Sequence, residues 1–112
     1  MENEIKDNEY IRTDTGKIDK VINANYYMPQ YIECEKDLIF KNNIVKHSPN
    51  ITGVLEKGDL IYTDYGWVWY DYKEVDTIVV YNGKAYIKVD EREINKIYTK
   101  EMMESISYKV KE

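Results

Sequence analysis

One cysteine and one histidine are all that 112 residues hold of those two types, and each shortage removes a class of protein. Cys34 has no second cysteine to bridge, so no internal disulfide can form, and a lone thiol is what a reducing compartment favours. Cys34 and His47 are also the only soft ligands, whereas a zinc site needs three or four ligands at recognisable spacing, so no metal is expected. No P-loop, Gly-x-Gly-x-x-Gly or nucleophile elbow is present, which leaves nucleotides without a backbone cradle and the chain without an expected cofactor. Excess positive charge is missing too: 16 basic residues face 21 acidic ones for a net charge of -5, against the concentrated cationic surface that phosphate-backbone binding needs. No uninterrupted apolar run approaches the roughly 18 residues of a membrane span. The opening Met1-Glu2-Asn3-Glu4-Ile5-Lys6-Asp7 has neither the basic nor the apolar part of a signal peptide, so the expectation is a cytosolic protein with no membrane partner.

What is abundant is tyrosine, 12 residues of it, so a core built from this chain draws much of its area from aromatic rings that keep a polar rim. The length suits one ordinary domain, a β-rich one over 9–112 behind a flexible N-terminus at 1–8. Tyr10-Ile11-Arg12-Thr13, Asp14-Thr15-Gly16 and Lys17 to Ile22 read as strand, glycine turn and strand. Tyr31 to Glu35 alternates, and Leu38-Ile39-Phe40 and Asn43 to Lys46 are short apolar runs. Pro49, Gly53 and Gly58 punctuate the stretch from Ile44 to Ile61, which divides the chain into two halves. Beyond it, Asp59 to Thr63 is a strand, Asp64-Tyr65-Gly66 a turn and Trp67 to Tyr72 a β-prone run. Thr77 to Tyr81, Asn82-Gly83 and Lys84 to Val89 predict a hairpin with a two-residue type I′ turn. Ile94 to Tyr98 is another strand. Thr99 caps a short helix over 100–104, and Ile106 to Val110 returns to an alternation that could close a barrel.

The frame Glu9 to Thr13, Gly16-Lys17-Ile18 and Val21-Ile22 resembles the opening of an SH3-like or KOW-type barrel. Lys57-Gly58-Asp59-Leu60-Ile61 resembles a second such opening, which departs from the first at Tyr65-Gly66-Trp67. The fold expected is mainly β with one short C-terminal helix, a small SH3-like barrel or a strongly bent antiparallel sheet. The alternative is two half-barrels from an internal duplication, meeting near 48–58. Together with Ile44 to Asn50 and the ending Ile97-Tyr98-Thr99-Lys100-Glu101, these motifs resemble small proteins carried by phages and prophages of low-GC Gram-positive bacteria. That group includes anti-CRISPR and other anti-defence inhibitors. The resemblance implies a host bacterial cytosol and a macromolecular target, with a CRISPR effector nuclease among the candidates, and it carries no catalytic signature.

The stretch from Asp59 to Asp76 holds five acids against the single base Lys73, and it is also where aromatics concentrate. Period two would put Trp67, Trp69 and Asp71 on one strand face and Val68, Tyr70 and Tyr72 on the other; either set can be the core. The candidate partner-binding residues are therefore Asp64, Tyr65, Trp67, Trp69, Tyr70, Asp71, Tyr72, Glu74 and Asp76. Rings supply area and carboxylates meet the Arg or Lys of a host protein with a basic surface. The alternative is a nucleic-acid-binding barrel using Lys17, Lys20, Lys36, Lys41 and Lys46, with aromatics stacking bases. Carboxylate pairs such as Glu33/Glu35 and Glu91/Glu93 read as solvated faces, so no enzyme is expected. Thr77 to Tyr81 could serve as an exposed edge strand for homodimer pairing.

Overall fold

The computed structural model describes residues 4–111, with side chains described as far as residue 105. These residues form ten strands, three short 3₁₀ helices and one C-terminal helix, so the chain is mainly β. It divides into two compact units, Met1–Val54 and Leu55–Glu112. In the first, β1 (Tyr10–Thr13), β2 (Ile18–Asn23), β3 (Tyr31–Cys34), β4 (Leu38–Phe40) and β5 (Ile44–Ser48) form an antiparallel sheet of order β4-β3-β2-β1-β5. In the second, β6 (Leu60–Thr63), β7 (Gly66–Lys73), β8 (Thr77–Tyr81), β9 (Tyr86–Asp90) and β10 (Lys96–Tyr98) form a sheet of order β10-β6-β7-β8-β9. Both place the fifth strand beside the first and a 3₁₀ turn, Lys41–Asn43 or Glu91–Glu93, immediately before or shortly before it. The same connectivity is thus run through twice.

The repetition extends to individual residues. The strands Tyr10–Thr13 and Leu60–Thr63 stand 50 positions apart, as do the two 3₁₀ turns. Asn8 N–H donates to the Val21 carbonyl and Val21 N–H to that of Glu9; Gly58 to Tyr70 and Tyr70 to Asp59 repeat the pair. The Glu9 carboxylate accepts the Lys6 N–H at 3.2 Å, and the Asp59 carboxylate accepts the Glu56 N–H at 2.7 Å. Asn8 and Gly58 both have positive φ, +71° and +100°, a conformation that Asn tolerates best after Gly. The hairpin glycines match as well, with φ +87° at Gly16 and +89° at Gly66. The repeat thus runs on through Tyr65-Gly66-Trp67, where the sequences part, because the glycine's backbone freedom is what the turn requires and its neighbours are not. A β-bulge falls at the same place in each second strand, between Val21 and Asn23 and between Tyr70 and Tyr72.

Each unit buries its own apolar set. Ile11, Val21, Ala24, Ile32, Cys34 and Ile39 form the first core, with Ile5 and Ile44 packed against it. Ile61, Val68, Tyr70, Ile78, Val80 and Val89 are buried in the second. Register pairs Ile11 with Ile61, Val21 with Tyr70, Ile32 with Ile78, Cys34 with Val80 and Ile39 with Val89 as counterparts. Asp19, the counterpart of Val68, is the exception: buried, it spends its carboxylate on the N–H groups of Lys20 at 2.8 Å and Lys36 at 3.1 Å.

Several sequence expectations are corrected. The strand expected over Ile106 to Val110 is the continuation of the helix α1 (Lys100–Lys111). Its start is fixed by Asp59, which accepts the Lys100 N–H at 3.1 Å, and by the Met103 N–H bond to the Thr99 carbonyl, after which elongation is easy. The β8–β9 connection is not a two-residue turn. Gly83 has φ +96° but Asn82 does not have positive φ; its side chain instead accepts the N–H groups of Lys84 and Ala85, closing a four-residue loop. Thr77 to Tyr81 is not an edge, since β8 is paired with both β7 and β9. His47 lies in β5, its Nδ1 2.7 Å from Glu9 Oε1. Of the N-terminal segment, residues 1–3 lie outside the described residues, and Asp7 accepts the Ala24 N–H at 2.7 Å.

Candidate functional site

Sheet pleating decides which aromatics face out. Val68 is fully buried and Tyr70 nearly so, which turns Trp67 and Trp69 outward, each 43% exposed. The expected face of Trp67, Trp69 and Asp71 therefore holds only for the two tryptophans. The bulge at Asp71 inserts one residue into the alternation, bringing Tyr72 out to the tryptophan side and separating it from Tyr70. Tyr70 belongs to the core, and burial, assisted by the nearby Asp59, pushes its phenol pKa up.

Register then assembles a belt that no single stretch of sequence displays. Tyr98, Leu60, Trp69, Tyr81 and Tyr86 are directly opposite one another across all five strands, and Tyr62 faces Trp67 in the adjacent row. Ring centroids are 4.9 Å apart for Tyr62 and Trp67, 5.3 Å for Trp67 and Tyr98, and 5.0 Å for Tyr81 and Tyr86. At about 4.8 Å per strand the belt runs roughly 19 Å across the sheet. Tyr62, Tyr81, Tyr86 and Tyr98 were not among the sequence candidates. Their signal was the buried partner of each alternation, Ile61 for Tyr62 and Val80 for Tyr81, but only the pairing shows that they share a face with Trp67 and Trp69.

The acids are less uniform than the sequence suggests. Asp71 is held by Lys57 at 3.1 Å and Glu74 by Lys88 at 2.9 Å, and these bonds raise the pKa of both lysines. Lys73, Arg92 and Lys100 are likewise engaged by Glu91, Asp90 and Glu56. Asp64 and Tyr65 occupy the exposed β6–β7 turn at the Trp67 end of the belt, and Asp76 is exposed in the β7–β8 loop. Neither Asp64 nor Asp76 has a partner among the described residues.

The five lysines of the alternative reading are spread over several elements. Lys17 pairs with Asp37, and Lys20 lies 5.8 Å from the centroid of the Tyr10 ring. Lys36 is in the β3–β4 turn, Lys41 in a 3₁₀ turn and Lys46 in β5. Cys34 is buried, and desolvation, with Asp19 adding to it, pushes its thiol up to about 12. Among the described residues no group of three or more His, Cys, Asp or Glu is placed to hold a metal, and no helix is long and apolar enough to cross a membrane.

The fold and this face define a class, a mainly β protein of two five-stranded antiparallel sheets, the second with an open aromatic surface. Comparison with protein-family models, with curated proteins and with solved structures found no match.

Proposed function

We propose that this is a non-enzymatic binding protein that docks a partner protein on the aromatic face of its second sheet, as a phage-encoded inhibitor of a host defence system. The observation that carries the reading is the belt itself. Rigid rings with polar tips supply contact area at low entropy cost, and Trp and Tyr are the residues that dominate binding energy at interfaces. Leaving Trp67 and Trp69 close to half exposed forgoes the stabilisation of burying them. The acidic balance and the exposed Asp64 and Asp76 direct the face toward a basic groove, such as the nucleic-acid channel of a CRISPR effector nuclease in the host cytosol.

The test is retention of a bacterial host protein from nuclease-treated lysate by the wild type and by a Trp67→Leu, Trp69→Leu variant. The reading expects a protein partner that survives nuclease, is lost in the variant and elutes as salt rises. Equal retention by both proteins refutes it. Recovery of nucleic acid by both proteins from the same lysate left untreated would shift the function to the lysines of the first unit.

A further inference from the structure

The two units present the same outward face in two chemical versions, and the comparison says what the second is built to receive. In the first unit the positions corresponding to Tyr62 and Trp69 are Arg12 and Lys20, and the position of Leu60 is Tyr10. There the face carries a cation of its own over its own ring: Lys20 Nζ is 5.8 Å from the Tyr10 ring centroid. Arg12 is fully buried and donates to the Val54 carbonyl at 3.0 Å, where the 3₁₀ turn Ile51–Val54 packs on β1 and β5. The first face is thus occupied from within.

In the second unit rings stand where those cations were, and five of its cationic side chains are already engaged by carboxylates of the same unit. Ring faces attract cations through their quadrupole, and most strongly for Trp. Asp64, exposed and unpartnered among the described residues, adds a carboxylate in the turn that leads into Trp67. Anionic occupants would meet a unit whose sequence carries an excess of acids. We infer that the aromatic face of the second unit takes arginine or lysine side chains of a polypeptide, held by cation–π stacking on Trp67, Trp69 and their tyrosine neighbours with Asp64 as counter-charge. This rests on the partner-binding reading and narrows its ligand to cationic polypeptide.

The experiment is calorimetric titration of the full chain with an (Arg-Gly) repeat decapeptide and with the same peptide carrying citrulline, which is nearly isosteric but neutral, with a carbonyl oxygen in place of one guanidinium nitrogen. The arginine peptide should bind saturably, and the citrulline peptide about tenfold or more weaker. Trp67→Leu, an exposed substitution checked for an unchanged melting temperature, should cost the arginine peptide a similar factor. Asp64→Asn should cost a few-fold and flatten the salt dependence. Equal binding of the two peptides, binding of neither, or arginine affinity untouched by Trp67→Leu overturns the inference. If peptides are not discriminated while the double tryptophan variant still loses its lysate partner, the docking face stands and only its preference for cations falls.

Discussion

At the scale of single residues, close packing and backbone conformation set the sharpest expectations. A Cβ added to Gly53 would sit 1.9 Å from Ser48 Oγ and 2.3 Å from Ser48 Cβ, and rotating the hydroxyl relieves only the first clash. Gly53→Ala should therefore destabilise by about 1–3 kcal/mol, read as a lower denaturant midpoint with unchanged slope, and Ser48→Gly in the same chain should recover part of it. Gly58 and Asn8 hold equivalent positive-φ positions, so Gly58→Asn should cost less than Gly58→Ala, whose penalty is about 1 kcal/mol. Cys34 provides a pH test. Its thiol is raised to about 12 in the fold, so the unfolded chain ionises first as pH rises past about 8.5. Its contribution to stability is complete below that pH and is lost as pH climbs toward 12. A thiol reagent at pH 8 should leave the native protein unmodified and label it once denatured; prompt native labelling would contradict the burial.

At the scale of elements, one carboxylate ties three pieces together. Asp59 is fully buried and accepts the N–H of Glu56 in the turn before β6 and the N–H of Lys100 at the start of α1. Asp59→Ala should cost about 2–3 kcal/mol, because two backbone donors lose a charged acceptor. It should also raise amide exchange selectively in the first turn of α1 and near Glu56, and Asp59→Asn, which keeps an acceptor oxygen, should do less. The counterpart Glu9 shows how a repeat can keep a hydrogen bond and change its second partner: it holds the Lys6 N–H in the same way but turns to His47 instead of a helix start. Loop lengths differ between the copies where turn chemistry differs, as in the four-residue loop closed by the Asn82 side chain.

At the scale of the whole molecule, two copies of one sheet plan have been put to different uses: the first face is filled by Arg12, Lys20 and the 3₁₀ turn over β1, and the second is left open and aromatic. Both tryptophans of the chain lie on that open face. The free protein should accordingly show red-shifted tryptophan emission, quenched by acrylamide, and a bound partner should shift it to the blue and shield it; emission that is blue in the free protein would mean the face is already covered.

Local chemistry alone carried the strand positions, the glycine turns and the opening of each repeat, because positive-φ requirements and period-two burial are written in neighbouring residues. Tyr10–Thr13 and Leu60–Thr63 are legible for that reason. The sheet order and the bulge at Asp71 are not, since each depends on hydrogen bonds between residues distant in the chain, and α1 follows from a start that Asp59 fixes from far back in the sequence. The candidate face shows the same division. Trp67 and Trp69 could be picked out from the sequence, but which way they pointed was decided by the burial of Val68 and Tyr70. Tyr62, Tyr81, Tyr86 and Tyr98 joined them only through cross-strand register, which brings residues from five strands into two rows and leaves no trace in any one of them.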